Sequence, residues 1–570
     1  MLRKFTGLTS IMLILFVDSA AAVEGIIPHS RPSDERPDIF EQRPFKPQEQ
    51  PKLNLPPIAP ADQKEGQISQ VLRFNLEKII FSGNTVFTNE QLQALAEPYV
   101  GKEIDTLDIQ QIKNLITKSY IDNGYLNSGA VIPDQDIQDG ILEINIVEGD
   151  LTEVHVSNKG RLRDKYISDR IRLDPHKPFN IYVLQERLYL LQQDPRIKRI
   201  NADLGPGDEK GESKLNIDIT EERPYNFLVQ VDNHRPPSIG EFQGTLRFQQ
   251  LNITGFGDKI DLTYNHTEGL DKGYVNYQWP LTADDKTLYI AYERSDSEVV
   301  ADELPANAPK LENKYDTASL GLTIPFHKTS TATYNISLQL DKRYSETLID
   351  GIPRSYAGSG AIDGVSRITA LRLVQNNLKF TPDTVYSFRH ILSIGLDAFD
   401  STKHSGEPES EYPDSEFVTW LAQFQVAKQY SAIGVQAIFR TDFQITDSNL
   451  MPMEEIAVGG ANTVRGYREN QLVRDNGLIA SLEIRKSIFQ SENAQHLLQI
   501  AGFADYGHAW VHTGPIADAT IYSVGAGIRW QWNKTALAEL YWGAPLKDVN
   551  NPDNSLQDDG IHLKLVGYFP

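Results

Sequence analysis

Across residues 224–570 the chain repeats one pattern many times: segments of about ten residues in which apolar and polar side chains alternate, separated by clusters of Gly, Asp, Asn and Pro. A strand turns successive side chains to opposite faces, so each segment acquires one apolar and one polar face. Leu392, Ile394, Leu396 and Ala398 share one face, while Ser393, Gly395 and Asp397 share the other. Ile433, Val435, Ala437 and Phe439 are set against Gly434, Gln436 and Arg440 in the same way, and Ala526, Ile528, Trp530 and Trp532 against Gly525, Gly527, Arg529 and Gln531. Such segments begin near Asn226 and Gly244, continue through Ser431 and Thr535, and end with one at Ile561. There are about sixteen, an even number, as in single-chain bacterial barrels. A soluble sandwich shows the same alternation. Low hydropathy without helices and long polar connections such as 399–416 favour the barrel. In the last segment Ile561, Leu563, Leu565 and Phe569 lie on one face, with Pro570 following.

No later stretch approaches the roughly 18 consecutive apolar residues of a spanning helix, so a membrane crossing must be made by strands closed into a barrel. The amino end reads as a removable export signal, 1–22. Arg3 and Lys4 precede an apolar run from Ile11 to Val17, and Ala20 and Ala22 fit an Ala-x-Ala cleavage site. Residues 23–70 are polar and punctuated by prolines from Pro28 to Pro60, which block a long helix and favour an extended linker. Pro37 is acceptable in a first helical turn, which leaves room for a short helix over 38–43. The chain has no cysteine, which excludes disulfides, Cys-based zinc sites and thiol nucleophiles. A formal net charge of −22 argues against nucleic-acid binding, which needs Lys and Arg against phosphates.

Between linker and barrel two units follow one plan. In the first, 71–149, a strand over 74–81 and a Ser82-Gly83-Asn84 turn lead to helices over 89–96 and 107–123, then strands over 129–132 and 141–147. Gly124 ends the second helix and Asp139-Gly140 signals a hairpin. In the second, 150–222, a strand over 153–156, helices over 165–172 and 181–193, and strands over 199–204 and 214–220 repeat that order. The run Lys78-Ile79-Ile80-Phe81-Ser82-Gly83-Asn84, with Asn123-Gly124-Tyr125 and Ile144-Asn145-Ile146-Val147-Glu148-Gly149, resembles the polypeptide-transport-associated (POTRA) domain of two-partner secretion transporters. The expected fold is a membrane β-barrel of about 16 antiparallel strands, 223–570, preceded by two α+β POTRA domains.

Residues 459–470, Gly-Gly-Ala-Asn-Thr-Val-Arg-Gly-Tyr-Arg-Glu-Asn, stand between two strand-like segments where a short hairpin would suffice. Three glycines let the backbone fold back on itself, while Arg465 and Arg468 carry fixed charge suited to a polar cavity. Val464-Arg465-Gly466-Tyr467 resembles the motif on the loop after strand eleven in the polypeptide-transporting outer-membrane barrel superfamily, and Phe503-Ala504-Asp505-Tyr506-Gly507 resembles its Phe-x-Asp-x-Gly strand motif. The resemblance implies that the loop folds into the lumen and that Arg465 pairs with Asp505, with Phe503 and Gly507 on the receiving wall; the strand between the two motifs, 476–487, carries Glu483 and Arg485 on one face as further wall charges. An Arg fork can grip a carboxylate bidentately, and breaking a buried pair from one side costs on the order of 3 kcal/mol. A wet lumen is expected to reduce that cost.

No catalytic residues are expected. The histidines are scattered without His-Glu-x-x-His, and neither a Gly-x-Ser-x-Gly elbow nor a phosphate loop is present. His508 stands without companion ligands, so no metal and no cofactor is expected. The resemblance implies a bacterial outer-membrane transporter, with periplasmic POTRA domains, that exports a large unfolded partner protein. It also implies contact with outer-membrane lipid, insertion by barrel-assembly machinery, and an N-terminal plug for which 38–43 is the candidate. The alternatives are a barrel-assembly factor, whose better-known members carry more periplasmic repeats, and a passive porin, which leaves the paired units and the Arg465 loop unexplained.

Overall fold

The computed structural model describes residues 31–34, 52–54 and 73–569, apart from 138, 173–177, 210, 301–307, 357, 405–411, 492–494, 515, 534 and 552–553. The export signal and the 38–43 helix lie outside the described residues. The chain divides into two compact units, one of residues 1–47, 223–253 and 258–570, the other of 48–222 with 254–257.

The first unit is a closed barrel of 16 antiparallel strands. They are β1 (Tyr225–Asp232), β2 (Gln243–Leu251), β3 (Lys259–Thr267), β4 (Leu270–Pro280), β5 (Thr287–Glu298), β6 (Leu311–Lys328), β7 (Ala332–Ile349) and β8 (Val365–Phe380). The second half comprises β9 (Thr384–Leu396), β10 (Val418–Tyr430), β11 (Val435–Thr446), β12 (Asn476–Gln490), β13 (His496–Trp510), β14 (Ala519–Trp532), β15 (Ala536–Pro545) and β16 (Ile561–Phe569). Closure comes from β1 against β16, with Phe227 opposite Phe569 and Asp232 opposite Lys564, so no barrel edge is left unpaired. The alternation sets the two surfaces. Phe439 and Ile445 of β11 are exposed outward, whereas Gln436, Asp442 and Gln444 are buried inward. Ile528, Trp530 and Trp532 of β14 likewise face out. One local expectation fails: Ser431 and Ile433 sit in a 3-10 turn, because Gly434 takes a left-handed φ of 62° and β11 starts only at Val435.

The second unit holds both α+β repeats. In the first, α1 (Asn89–Ala96) starts at a Thr88/Gln91 capping box, and Asp105 caps α2 (Thr106–Asp122). Their apolar faces cover a sheet in the order Lys78–Ser82, Ile141–Val147, Gly129–Val131, with Leu92, Ile112, Ile116 and Leu142 in the core. The single strand expected over 74–81 is two: Phe74–Asn75 pairs with Glu103–Ile104, and the Glu77 and Lys78 amides both turn to the Gly140 carbonyl before Lys78–Ser82 begins. The second repeat has α3 (Asp164–Ile171) and α4 (Ile181–Gln192) over Asp150–Asn158, Glu212–Glu221 and Ile197–Pro206, in the same order and with the same parallel and antiparallel pairings. Strand Lys52–Asn54 adds a fourth member beside Ile197–Pro206.

Candidate functional site

The connection from β11 to β12 enters the barrel. Ile456–Val458 pairs with Leu472–Arg474 as a short hairpin, and its apolar side chains Ile456, Val458 and Val464 pack with Ile479, Ala509 and Ile521 of the wall. At the hairpin tip the Thr463 hydroxyl accepts from the Gly459 amide and the Val464 carbonyl from the Gly460 amide, so the tip is wound tightly before Arg465.

Arg465 reaches the wall of β12 and β13. Its Nε donates to Asp505 Oδ2 at 2.8 Å and its Nη2 to Asp505 Oδ1 at 2.9 Å, a bidentate fork, while its backbone amide donates to Oδ2 at 3.1 Å. Nη1 donates to Glu483 Oε2 at 2.5 Å and Nη2 to Ser481 Oγ at 3.2 Å. The guanidinium lies 3.6 Å over the Phe503 ring. Glu483 also accepts from Arg485 Nε and from the Tyr541 hydroxyl at 2.8 Å. Alternation explains the grouping: Ser481, Glu483 and Arg485 of β12 and Phe503, Asp505 and Gly507 of β13 all face inward, with Ser481 opposite Asp505. The cluster is drier than the sequence reading expected, since the side chains of Arg465 and Asp505 are 6% and 0% exposed.

The other motif residues fix the backbone. Gly466 adopts φ +92° and donates its amide to His562 Nε2 at 3.0 Å; a Cβ there would stand 2.8 Å from the Gly543 carbonyl oxygen. A Cβ on Gly507 would meet Val458 at 2.3 Å and Val464 at 2.8 Å, so the bare backbone of β13 is the seat of the hairpin. The Tyr467 hydroxyl lies 3.0 Å from the carbonyl oxygens of both Tyr522 and Lys547, one of which takes its single proton, and it accepts from the Lys547 amide at 3.1 Å.

One further anchor, and the partner of Arg468, escaped sequence reasoning. Glu454 accepts from Arg372 Nη1 at 3.0 Å and Nη2 at 2.6 Å, while Arg372 Nε donates to Asp341 Oδ2 at 2.7 Å. Arg343 joins them, donating to the Met453 carbonyl at 2.9 Å. This ties the base of the loop to β7 and β8, apart from the Arg465 cluster. The available signal was weak: Arg372 stands between Leu371 and Leu373, which marks it as inward. Arg468 Nε and Nη2 both donate to Asp558 at 2.6 Å, joining the loop to the β15–β16 connection. Burial works to raise the Asp558 pKa, but the Arg468 guanidinium holds it below the usual carboxylate range.

Residues 31–34, expected to be spacer, also line the lumen. Arg31 Nε donates to the Pro452 carbonyl at 3.1 Å, and the Ser33 carbonyl accepts from Gln423 of β10 at 3.3 Å. A cavity of about 1570 Å³ remains, lined by groups such as Asp34, Arg343, Glu483 and Arg529. Among the described residues no group of three or more His, Asp or Glu is placed to hold a metal ion. His508 packs along β13 with Nδ1 2.8 Å from Thr520 Oγ1.

A closed barrel with a charge-locked loop in its lumen, carried with two POTRA-like repeats, defines a polypeptide-transporting outer-membrane barrel. The family described as haemolysin secretion/activation protein ShlB/FhaC/HecB matches residues 211–530, more than half of the chain, and the ShlB-type POTRA domain matches residues 74–149. The chain belongs to this family, whose members are outer-membrane secretion transporters, with POTRA domains in the periplasm. It is similar to the heme/hemopexin transporter protein HuxB of Haemophilus influenzae, 22% identical over 545 residues covering 90% of this chain and 91% of that protein. To the outer membrane transporter CdiB of Escherichia coli it is 21% identical over 474 residues, covering 80% of this chain and 76% of that protein. The solved structure of CdiB from Escherichia coli shares the fold, with a TM-score of 0.69 and 18% identity over 90% of this chain and 94% of that one. The family assignment decides for secretion over barrel assembly or a passive pore.

Proposed function

We propose that this chain exports one large secreted partner protein across the outer membrane, passing it in extended form through the barrel once the β11–β12 loop yields. The observation that carries this reading is the Arg465 clamp inside a closed barrel. Loop and wall leave about 1570 Å³, far less than a folded domain, whose radius of gyration is about 13 Å for 100 residues. An extended segment fits a bore that a folded one does not. Arg465, Asp505 and Glu483 hold the loop in the wall register that secretion starts from and depends on, with Val464, Gly466, Tyr467, Phe503 and Gly507 seating it.

The partner arrives at the POTRA repeats, whose strand edges receive extended segments by β-augmentation. Folding of the partner outside draws the chain outward, a reading supported by the lack of any phosphate-binding motif; a strict nucleotide requirement in reconstituted vesicles opposes it. Residues 1–22 direct export, 23–70 link to POTRA domains at 71–149 and 150–222, and the 223–570 barrel is inserted by assembly machinery into outer-membrane lipid through its apolar belt. The chain performs no catalysis. Coexpression with each candidate partner encoded in the neighbouring reading frames, a long repetitive secreted protein being the kind expected, tests the function. The partner appears outside only when this chain is present, and its appearance without this chain refutes the assignment.

A further inference from the structure

The two repeats share one topology, yet their corresponding edges differ. In the first, Gly129–Val131 ends the sheet, with Ile141–Val147 as its single neighbour among the described residues. In the second, the equivalent strand Ile197–Pro206 has a neighbour on both sides, Glu212–Glu221 on one and the linker strand Lys52–Asn54 on the other. The linker runs parallel, with Lys52 opposite Asn201, Leu53 opposite Ala202 and Asn54 opposite Asp203. Leu53 packs against the buried core of that repeat, and Asn54 Nδ2 donates to Asp203 Oδ1 at 2.6 Å. The chain therefore displays on itself how this edge takes an extended strand: parallel, with an apolar side chain toward the domain.

We propose that Lys52–Asn54 is a resident strand that occupies the partner's docking edge on the second repeat, and that an extended segment of the secreted partner replaces it by strand exchange. This rests on the export reading. The physical basis is the mismatch in length. Three linker residues pair with a ten-residue strand. An incoming segment with alternating apolar residues makes more backbone hydrogen bonds along the same edge and puts an apolar side chain where Leu53 sits. The linker competes through its covalent attachment, which gives it a high effective concentration, and so screens out weakly pairing segments.

The absence of native cysteine makes a direct test available. Asn54 and Asp203 face each other with hydrogen-bonded, exposed side chains, so the double variant Asn54→Cys/Asp203→Cys places two thiols at disulfide distance. In cells making the partner, the oxidised double variant is expected to lose at least tenfold in secretion, and reductant to restore it in the same molecules, which separates locking from misfolding. Each single variant is expected to secrete normally under both conditions. Secretion by the locked protein at the reduced level overturns the strand exchange while leaving the export function intact. Failure of the unsubstituted protein to secrete the partner overturns the export reading itself.

Discussion

Arg465 holds Asp505 with three N–H donors, Nε, Nη2 and its own backbone amide, so one residue fixes both the side chain and the main chain of the luminal loop to β13. Glu483, held also by Arg485 and Tyr541, takes the remaining guanidinium nitrogen. An ammonium cannot reproduce a fork of this kind.

Arg465→Lys is accordingly expected to impair secretion nearly as much as Arg465→Ala, because the paired donors to Asp505 are lost in both. Removing one partner of a buried pair costs about 3–5 kcal/mol, and here the loss is local to the loop. Partner secretion should fall at least tenfold with barrel abundance in the membrane unchanged. Loss of the barrel in step with secretion makes the clamp a folding device instead.

Glu454 makes the second prediction. Arg372 and Arg343 face Asp341 and Glu454, two cations against two carboxylates, all almost fully buried. Glu454→Gln keeps the shape and leaves one cation uncompensated, so the base of the loop should detach from β7 and β8 at a cost of order 3 kcal/mol. Higher ion conductance in planar bilayers is the expected readout. Conductance equal to that of the unsubstituted protein shows that the Arg465 cluster alone closes the bore.

The barrel was legible because its signal is local. Each expected strand start falls in or within a few residues of its own strand, from Asn226 in β1 to Ile561 in β16, with Ser431 four residues ahead of β11, since a period of two needs only near neighbours. Arg465 and Asp505 were found through motif resemblance, and alternation then predicted that Glu483 and Arg485 share a face. Glu454 and Arg372 are 82 positions apart, and any inward charge of the wall competes as a partner, so no local pattern selects the pair. Lys52-Leu53-Asn54 is too short to show a period and lies between Pro51 and Pro56, which made it read as spacer. Its strand character comes from the neighbouring sheet edge, not from its own propensity.

Gly507→Ala tests seating without altering charge. The added Cβ would stand 2.3 Å from Val458 Cγ1 and 2.8 Å from Val464 Cγ2, both on the hairpin and both β-branched with little room to turn. Overpacking of this sort costs about 1–3 kcal/mol, and the hairpin rather than β13 should give way. Faster proteolysis within 456–474, with the wall strands still protected, is the expected result; an unchanged cleavage rate shows that the loop accommodates the methyl in place.

The first periplasmic repeat should report pH through Glu148. Its carboxylate accepts from the Thr85 amide at 2.7 Å, the Val86 amide at 2.8 Å and the Tyr120 hydroxyl at 2.8 Å, pinning the turn after Lys78–Ser82 to the end of Ile141–Val147. Burial alone would raise its pKa, but the hydrogen bonds from Thr85, Val86 and Tyr120 outweigh it and hold the group below its ordinary 4.5. A depressed folded-state pKa means that the ionised form stabilises the fold: the contribution is complete above about 4.5 and is lost as pH falls through the lower folded value. Protection of the Val86 amide from hydrogen exchange, corrected for intrinsic rate, should stay level from pH 7 to about 5 and then decline. In Glu148→Gln the protection should be lower throughout and flat across that range, because the amide oxygen still accepts but no longer titrates. A decline of the same size in Glu148→Gln would place the pH sensitivity on a different carboxylate.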